Sequence, residues 1–195
     1  ALNSAVAETH PKAVDEMKRR GWEFMGHGIT NSENLAGLNA DKERALIQTV
    51  LKTIEQATGR APRGWLGPGL TETHNTLDIL AEAGVEYCGD WNSDDQPYPM
   101  KVRTGRMFSI PYCMEINDIP LFIRKGYTGE QYFQSVVDQF DTLYADSSKQ
   151  PRVLGMPLHP MIKLTAQFDE DVNTMDMGVP AQQVKEFAPQ YTFGA

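Results

Sequence analysis

Amphipathic helical stretches of 10 to 18 residues alternate along this chain with apolar runs too short to be helices. Parallel strands cannot be joined by tight turns and need a crossover of a dozen or more residues, usually a helix. The alternation therefore restricts the chain to βα units and a mostly parallel sheet. Pro11 to Arg20 reads as the first helix, with Pro11 at its start and Gly21 at its end. The second is capped by Asn39 and carries Leu46, Val50, Leu51, Ile54 and Ala57 on one face, and Gly59 stops it. Thr71 or Thr73 caps a third through Leu77, Ile79, Leu80 and Ala83 to Gly84. Thr128 and Gln131 form a capping box ahead of a long helix to Tyr144. Strands are expected within Trp22–Gly26, Arg63–Gly67, Val85–Cys88, Met107–Tyr112 and Arg152–Leu158.

A length of 195 residues suits one domain with a sizeable core. The net charge of −8 argues against a nucleic-acid backbone or an anionic membrane as partner. Lys18-Arg19-Arg20 fits the last turn of a helix, where cations suit the dipole. No apolar run approaches the roughly 20 residues that span a bilayer. The two cysteines, Cys88 and Cys113, match no zinc or redox spacing and read as buried thiols, although one bridge is compatible with the count. ALNSAVAETH lacks the charged start and apolar middle of a signal peptide, and the chain opens with Ala1 rather than Met, as a processed or truncated piece would. Sparing cysteine use points to the cytoplasm.

Three strand ends deliver polar groups: His27 after Trp22–Gly26, the Asp90 to Asp95 loop, and His159. Groups at the same ends of parallel strands converge in space. Two histidines and several carboxylates would supply a general acid and a general base. The competing readings are plain ones, a loop histidine capping a turn for His27 and a satisfied core histidine for His159. His10 and His74 stand at helix starts and read as structural. A metal site needs at least three spaced ligands, and Asn31 occupies the place four residues after His27 where a second histidine would stand. Gly64, Gly67 and Gly69 lead into no phosphate-binding fingerprint, and there is no nucleophile elbow. Asp169, Asp171 and Asn173 open like a calcium loop, but Thr174 and Pro180 stand where glycine and glutamate are required.

The order of segments resembles the polysaccharide deacetylase superfamily. GWEFMGHGITN is similar to its second signature, RGWLGPGLTETHNTLDILAEAGVEYCGDW to its third and fourth, and VLGMPLHP to its fifth. The resemblance is nearest to the cofactor-independent allantoinases and their relatives. It rests there on Asp94-Asp95, Pro97-Tyr98, Ile110-Pro111-Tyr112, Asn117-Asp118, Phe140-Asp141, Leu143-Tyr144 and Leu158-His159-Pro160. It implies a distorted (β/α) barrel, lacking its N-terminal strand or strands, over residues 1–162, with 163–195 an irregular segment of the same domain. It implies hydrolysis of a non-peptide carbon–nitrogen bond in a small amide, ureide or N-acetyl substrate, by a single chain or a homo-oligomer.

Carried over by position, His27 and His159 would be catalytic, with His159 protonating the leaving nitrogen. Asn31, Trp91, Asp94, Asp95, Tyr98, Asn117 and Asp118 would face the substrate. No cofactor is expected; a divalent metal such as zinc, held through His27, is the alternative. Leu66 stands where many deacetylases have an arginine, and the first signature, a strand ending in Asp-Asp or Glu, is not in this sequence. A relative that binds a ligand without turning it over is the rival reading. A small substrate is favoured over a sugar polymer because Trp22, Trp65 and Trp91 fall at strand positions expected to be buried.

Overall fold

The Asn39 side chain accepts the Lys42 amide at 3.0 Å and starts the longest helix, which Gly59 ends with a φ of 79°. Such caps fix where the chain leaves and re-enters the sheet. The computed structural model describes residues 1–159, in two compact units, Ala1–Pro111 and a second that begins at Tyr112. The segment 163–195 and the calcium-like spacing at Asp169 lie outside the described residues.

In the first unit, α1 (Ser4–Thr9), α2 (Pro11–Arg19), α3 (Ala40–Thr58) and α4 (Thr76–Glu82) accompany five short strands. These are β1 (Met25–Gly26), β2 (Gly64–Trp65), β3 (Tyr87–Cys88), β4 (Tyr98–Met100) and β5 (Met107–Ser109). The sheet order is β1-β2-β3-β5-β4, parallel except for the β4–β5 pair. Ladder bonds continue past the strand ends, from Leu66 N to Gly26 O and from Gly89 N to Trp65 O. Ile47, Val50 and Ile54 of α3 share one core with Trp65, Leu80, Cys88 and Met107. A Cβ on Gly26 would come within 2.6 Å of the Trp65 ring, so this strand position accepts only glycine without rearrangement.

In the second unit, α5 (Gly129–Asp146) starts at the expected capping box between Thr128 and Gln131. A wide helical turn over Ile119–Arg124 presents Leu121 and Phe122 to Tyr132 of α5. Phe122 and Tyr132 stack at 4.9 Å, and the Tyr132 hydroxyl donates to the Ile116 carbonyl.

The α/β class and parallel sheet are as expected, and several local readings are corrected. Arg152–Leu158 forms no strand; Gly155 and Pro157 interrupt it, and proline has no N–H for a ladder. The Gly155 carbonyl is instead taken by the Cys113 amide at 3.1 Å. The stretch after Asp90 holds β4, where Pro99 is tolerated because the strand lies at the sheet edge. Neither Thr71 nor Thr73 caps α4; Asn75 precedes it, and the Thr73 hydroxyl donates to Glu43. Of the three tryptophans only Trp65 is buried: Trp22 is 55% and Trp91 44% exposed. The inference against a polymer substrate from buried tryptophans therefore loses its premise.

Candidate functional site

β1 ends at Gly26, and the chain is then pinned by its own first residues. The His27 amide donates to the Leu2 carbonyl, the Asn3 side chain donates to the His27 carbonyl, and Ser4 N donates to Gly28 O. The His27 ring is fixed by Nδ1, which sits 2.5 Å from the Leu66 carbonyl at the end of β2. A carbonyl only accepts, so Nδ1 carries the hydrogen and the acceptor lone pair is at Nε2.

At the ends of β2 and β3 two carboxyls meet. Asp90, just past β3, accepts the Gly67 amide through Oδ1 at 2.7 Å. Glu72 accepts the Trp91 indole N–H through Oε2 at 2.8 Å. The facing oxygens, Asp90 Oδ2 and Glu72 Oε1, are buried with no N–H or O–H from any other group. Burial, then the neighbouring Glu72 charge, pushes the Asp90 carboxyl up to about 8, against a smaller opposing effect of the Gly67 amide. Burial also raises Glu72, opposed by its bonds to Asp90 and Trp91. The loop that carries Glu72 contains Leu70 at a φ of 54°, a left-handed conformation that costs a non-glycine residue about 1 kcal/mol.

The second unit holds His159 by Asp118. Asp118 Oδ2 accepts the His159 amide and Oδ1 faces ring Nδ1, both at 2.6 Å. Asp118 is 3% exposed. Asn117 is also buried, donating to the Tyr112 hydroxyl and accepting the Ile119 amide. Asp118 thus stands behind the histidine, and Asn117 pins its own loop.

The other expected substrate-facing residues belong to the first unit. Asn31, Asp94 and Asp95 are exposed on loops, and the Tyr98 hydroxyl donates to the Trp91 carbonyl at 3.2 Å. The structure therefore joins Trp91 to Tyr98 and Asp118 to His159. Glu72 and Asp90 were missed as a pair. Asp90 stood within the Asp90 to Asp95 loop, but nothing in the spacing of Glu72 marks it as Asp90's partner.

The chain's first 88 residues match the polysaccharide deacetylase family. That match covers 88 of the 195 residues. A peptidoglycan deacetylase of Helicobacter pylori (strain ATCC 700392 / 26695) is 25% identical over 82% of this chain and 64% of its own length. The chain thus spans less than two thirds of that curated relative. Among solved structures, a probable polysaccharide deacetylase from Pseudomonas aeruginosa PAO1 superposes with a TM-score of 0.72 at 25% identity, over 98% of this chain and 67% of that one. An allantoinase superposes at 0.73 and 23% identity over the same shares, a likeness of fold. These likenesses show that the described residues share the polysaccharide deacetylase type of α/β fold.

Polysaccharide deacetylases use a metal in many members. Among the described residues no three His, Cys, Asp or Glu side chains stand close enough to hold an ion. Asn31 is exposed, and the nearest strong anions to the sheet ends, Asp90 and Glu72, already bind Gly67 and Trp91. Among the described residues the donor set therefore does not fit a divalent metal. Among the described residues no helix is long and apolar enough to cross a membrane.

Proposed function

We propose that this chain is part of a hydrolase of non-peptide carbon–nitrogen bonds, acting on a small amide, ureide or N-acetyl group, with His159 as the general acid. The observation that carries this reading is the pairing of His159 with Asp118. A buried carboxylate on Nδ1 fixes the tautomer, so that Nε2 is the nitrogen that gains and loses the proton. The adjacent backbone bond to Oδ2 stops the carboxylate from rotating away. Breaking a C–N bond needs a protonated leaving nitrogen, and a positioned histidine ring can deliver that proton.

His27, its ring oriented by the Nδ1 bond to the Leu66 carbonyl, is proposed to act beside it. Trp91, Tyr98, Asp94 and Asp95 are proposed to meet the substrate, and so is Asn31. Exposed Trp22 and Trp91 leave a sugar-bearing substrate open alongside a ureide. The cytoplasm, and assembly with further copies, belong to the same proposal.

The test is turnover of acetylated amino sugars and of ureides by the intact protein and by His159→Ala. Loss of kcat by about 100-fold or more is expected, the usual weight of a general acid. Unchanged kcat overturns the acid assignment. Binding without turnover by the unaltered protein would move the chain to the ligand-binding reading.

A further inference from the structure

Two carboxylates cannot both be charged with their oxygens buried face to face. Asp90 and Glu72 are each anchored by one outside donor, Gly67 N and Trp91 Nε1. Their inner oxygens, Asp90 Oδ2 and Glu72 Oε1, have no such donor, and the room above Gly67 is so tight that a Cβ there would sit 3.0 Å from Asp90 Oδ2. A hydrogen bond between two carboxyl oxygens exists only when one of them carries the hydrogen. The chain of bonds Gly67–Asp90–Glu72–Trp91 is complete with one proton and broken without it.

We propose that Glu72 and Asp90 hold a single proton between them and that this shared proton positions the Trp91 indole. Trp91 and Glu72 line a cavity of about 610 Å³ together with Leu38, Thr73, His74 and Leu77. The pair therefore decides where the aromatic wall of this cavity stands. Glu72 and Asp90 are positioning residues: they act through Trp91. This inference does not rest on the catalytic assignment of His159.

The charged neighbours strengthen the pairing. Glu43, on α3, acts on Glu72 with a like charge. The Cys88 thiol on β3 is pushed up to about 12 by burial and by the two carboxyls, so it stays protonated while the pair titrates. His74, in the loop before α4, is the remaining titratable group on the cavity wall.

The experiment follows the indole Nε1–H resonance of Trp91 in the intact protein from pH 5 to pH 10, identified by its loss in Trp91→Phe. A single transition is expected near pH 8, the range to which burial and the Glu72 charge push the Asp90 carboxyl. Glu72→Gln and Asp90→Asn each put an amide N–H where the shared proton lies, keeping every bond of the chain. Both are expected to hold the low-pH position of the resonance throughout. A role in structure alone would leave the variants and the unaltered protein with the same pH profile. An unaltered protein with no transition up to pH 10 overturns the proposal. So does a transition that persists in either folded variant, since that would trace to a group outside the pair.

Discussion

Asp118 takes two hydrogen bonds from one residue, the backbone amide and the ring of His159. The first bond orients the carboxylate and the second orients the imidazole, so neither can turn without breaking the other. Such reciprocal fixing is how a protein holds a proton-transferring nitrogen in place before substrate arrives.

Replacing the buried carboxylate should therefore impair turnover without removing the imidazole. Asp118→Asn keeps the size of the side chain but loses its charge, and can leave the ring in the wrong tautomer. A fall in kcat of about 10-fold or more is expected, with a smaller change in KM. Steady-state kinetics on the substrate found for the intact protein checks this. Equal falls in kcat for Asp118→Asn and Asp118→Ala would point to the charge; rescue by Asn would point to geometry.

The carboxyl pair makes stability depend on pH in an unusual direction. Asp90 and Glu72 bind their proton more tightly folded than unfolded. The folded state thus holds more protons between the unfolded carboxylate range, about pH 4, and about pH 8. The stabilisation is fully present below that window and is lost as pH rises through about 8. Urea midpoints at pH 5, 7 and 9 should decline, and Asp90→Asn should flatten the decline. A midpoint that rises steadily with pH would contradict it.

Glu43 ties α3 to the loop before α4. It is fully buried, and its two oxygens accept the hydroxyls of Thr73, at 2.6 Å, and of Thr76. Glu43→Ala leaves both hydroxyls without that acceptor and opens a void, and should cost roughly 2 to 4 kcal/mol. Glu43→Gln retains the volume and one good acceptor and should cost about 1 kcal/mol. Chemical denaturation of both variants measures the difference.

Gly64 of β2 lies under the Tyr87 ring of β3, and a Cβ would overlap that ring and crowd Met25 Cγ at 2.8 Å. Gly64→Ala should destabilise the protein by about 1 to 3 kcal/mol through displacement of Tyr87. The displacement should also break the bond from the Tyr87 hydroxyl to Glu23. A thermal midpoint unchanged from that of the unaltered protein would show that the sheet has slack there.

Helix positions were legible because caps and stop signals are local. Asn39 with Gly59, and Thr128 with Gln131, mark helix ends that depend only on residues within a turn. Strand ends were legible in place but not in extent: each parallel strand here is two or three residues long, and an apolar run cannot say where pairing stops. β4 was hidden by its composition, since Tyr98-Pro99-Met100 pairs only through an edge that tolerates proline. His27 and His159 were visible as histidines closing apolar runs. Their partners, a carbonyl of residue 66 and a carboxylate 41 positions earlier, come from elsewhere in the fold. The Glu72–Asp90 pair needed the third dimension outright, because its members stand 18 positions apart with a helix between them.

The lattice of bonds between residues 2 to 5 and residues 25 to 29 means that the loop of His27 has its foundation at the far side of two helices. Leu2, Asn3, Ser4 and Ala5 each donate to a carbonyl of Met25, His27, Gly28 or Ile29, and the Leu2 carbonyl accepts the His27 amide in return. Trimming or nicking the chain at those first residues would therefore read, in an assay, as damage to a histidine more than 20 positions away.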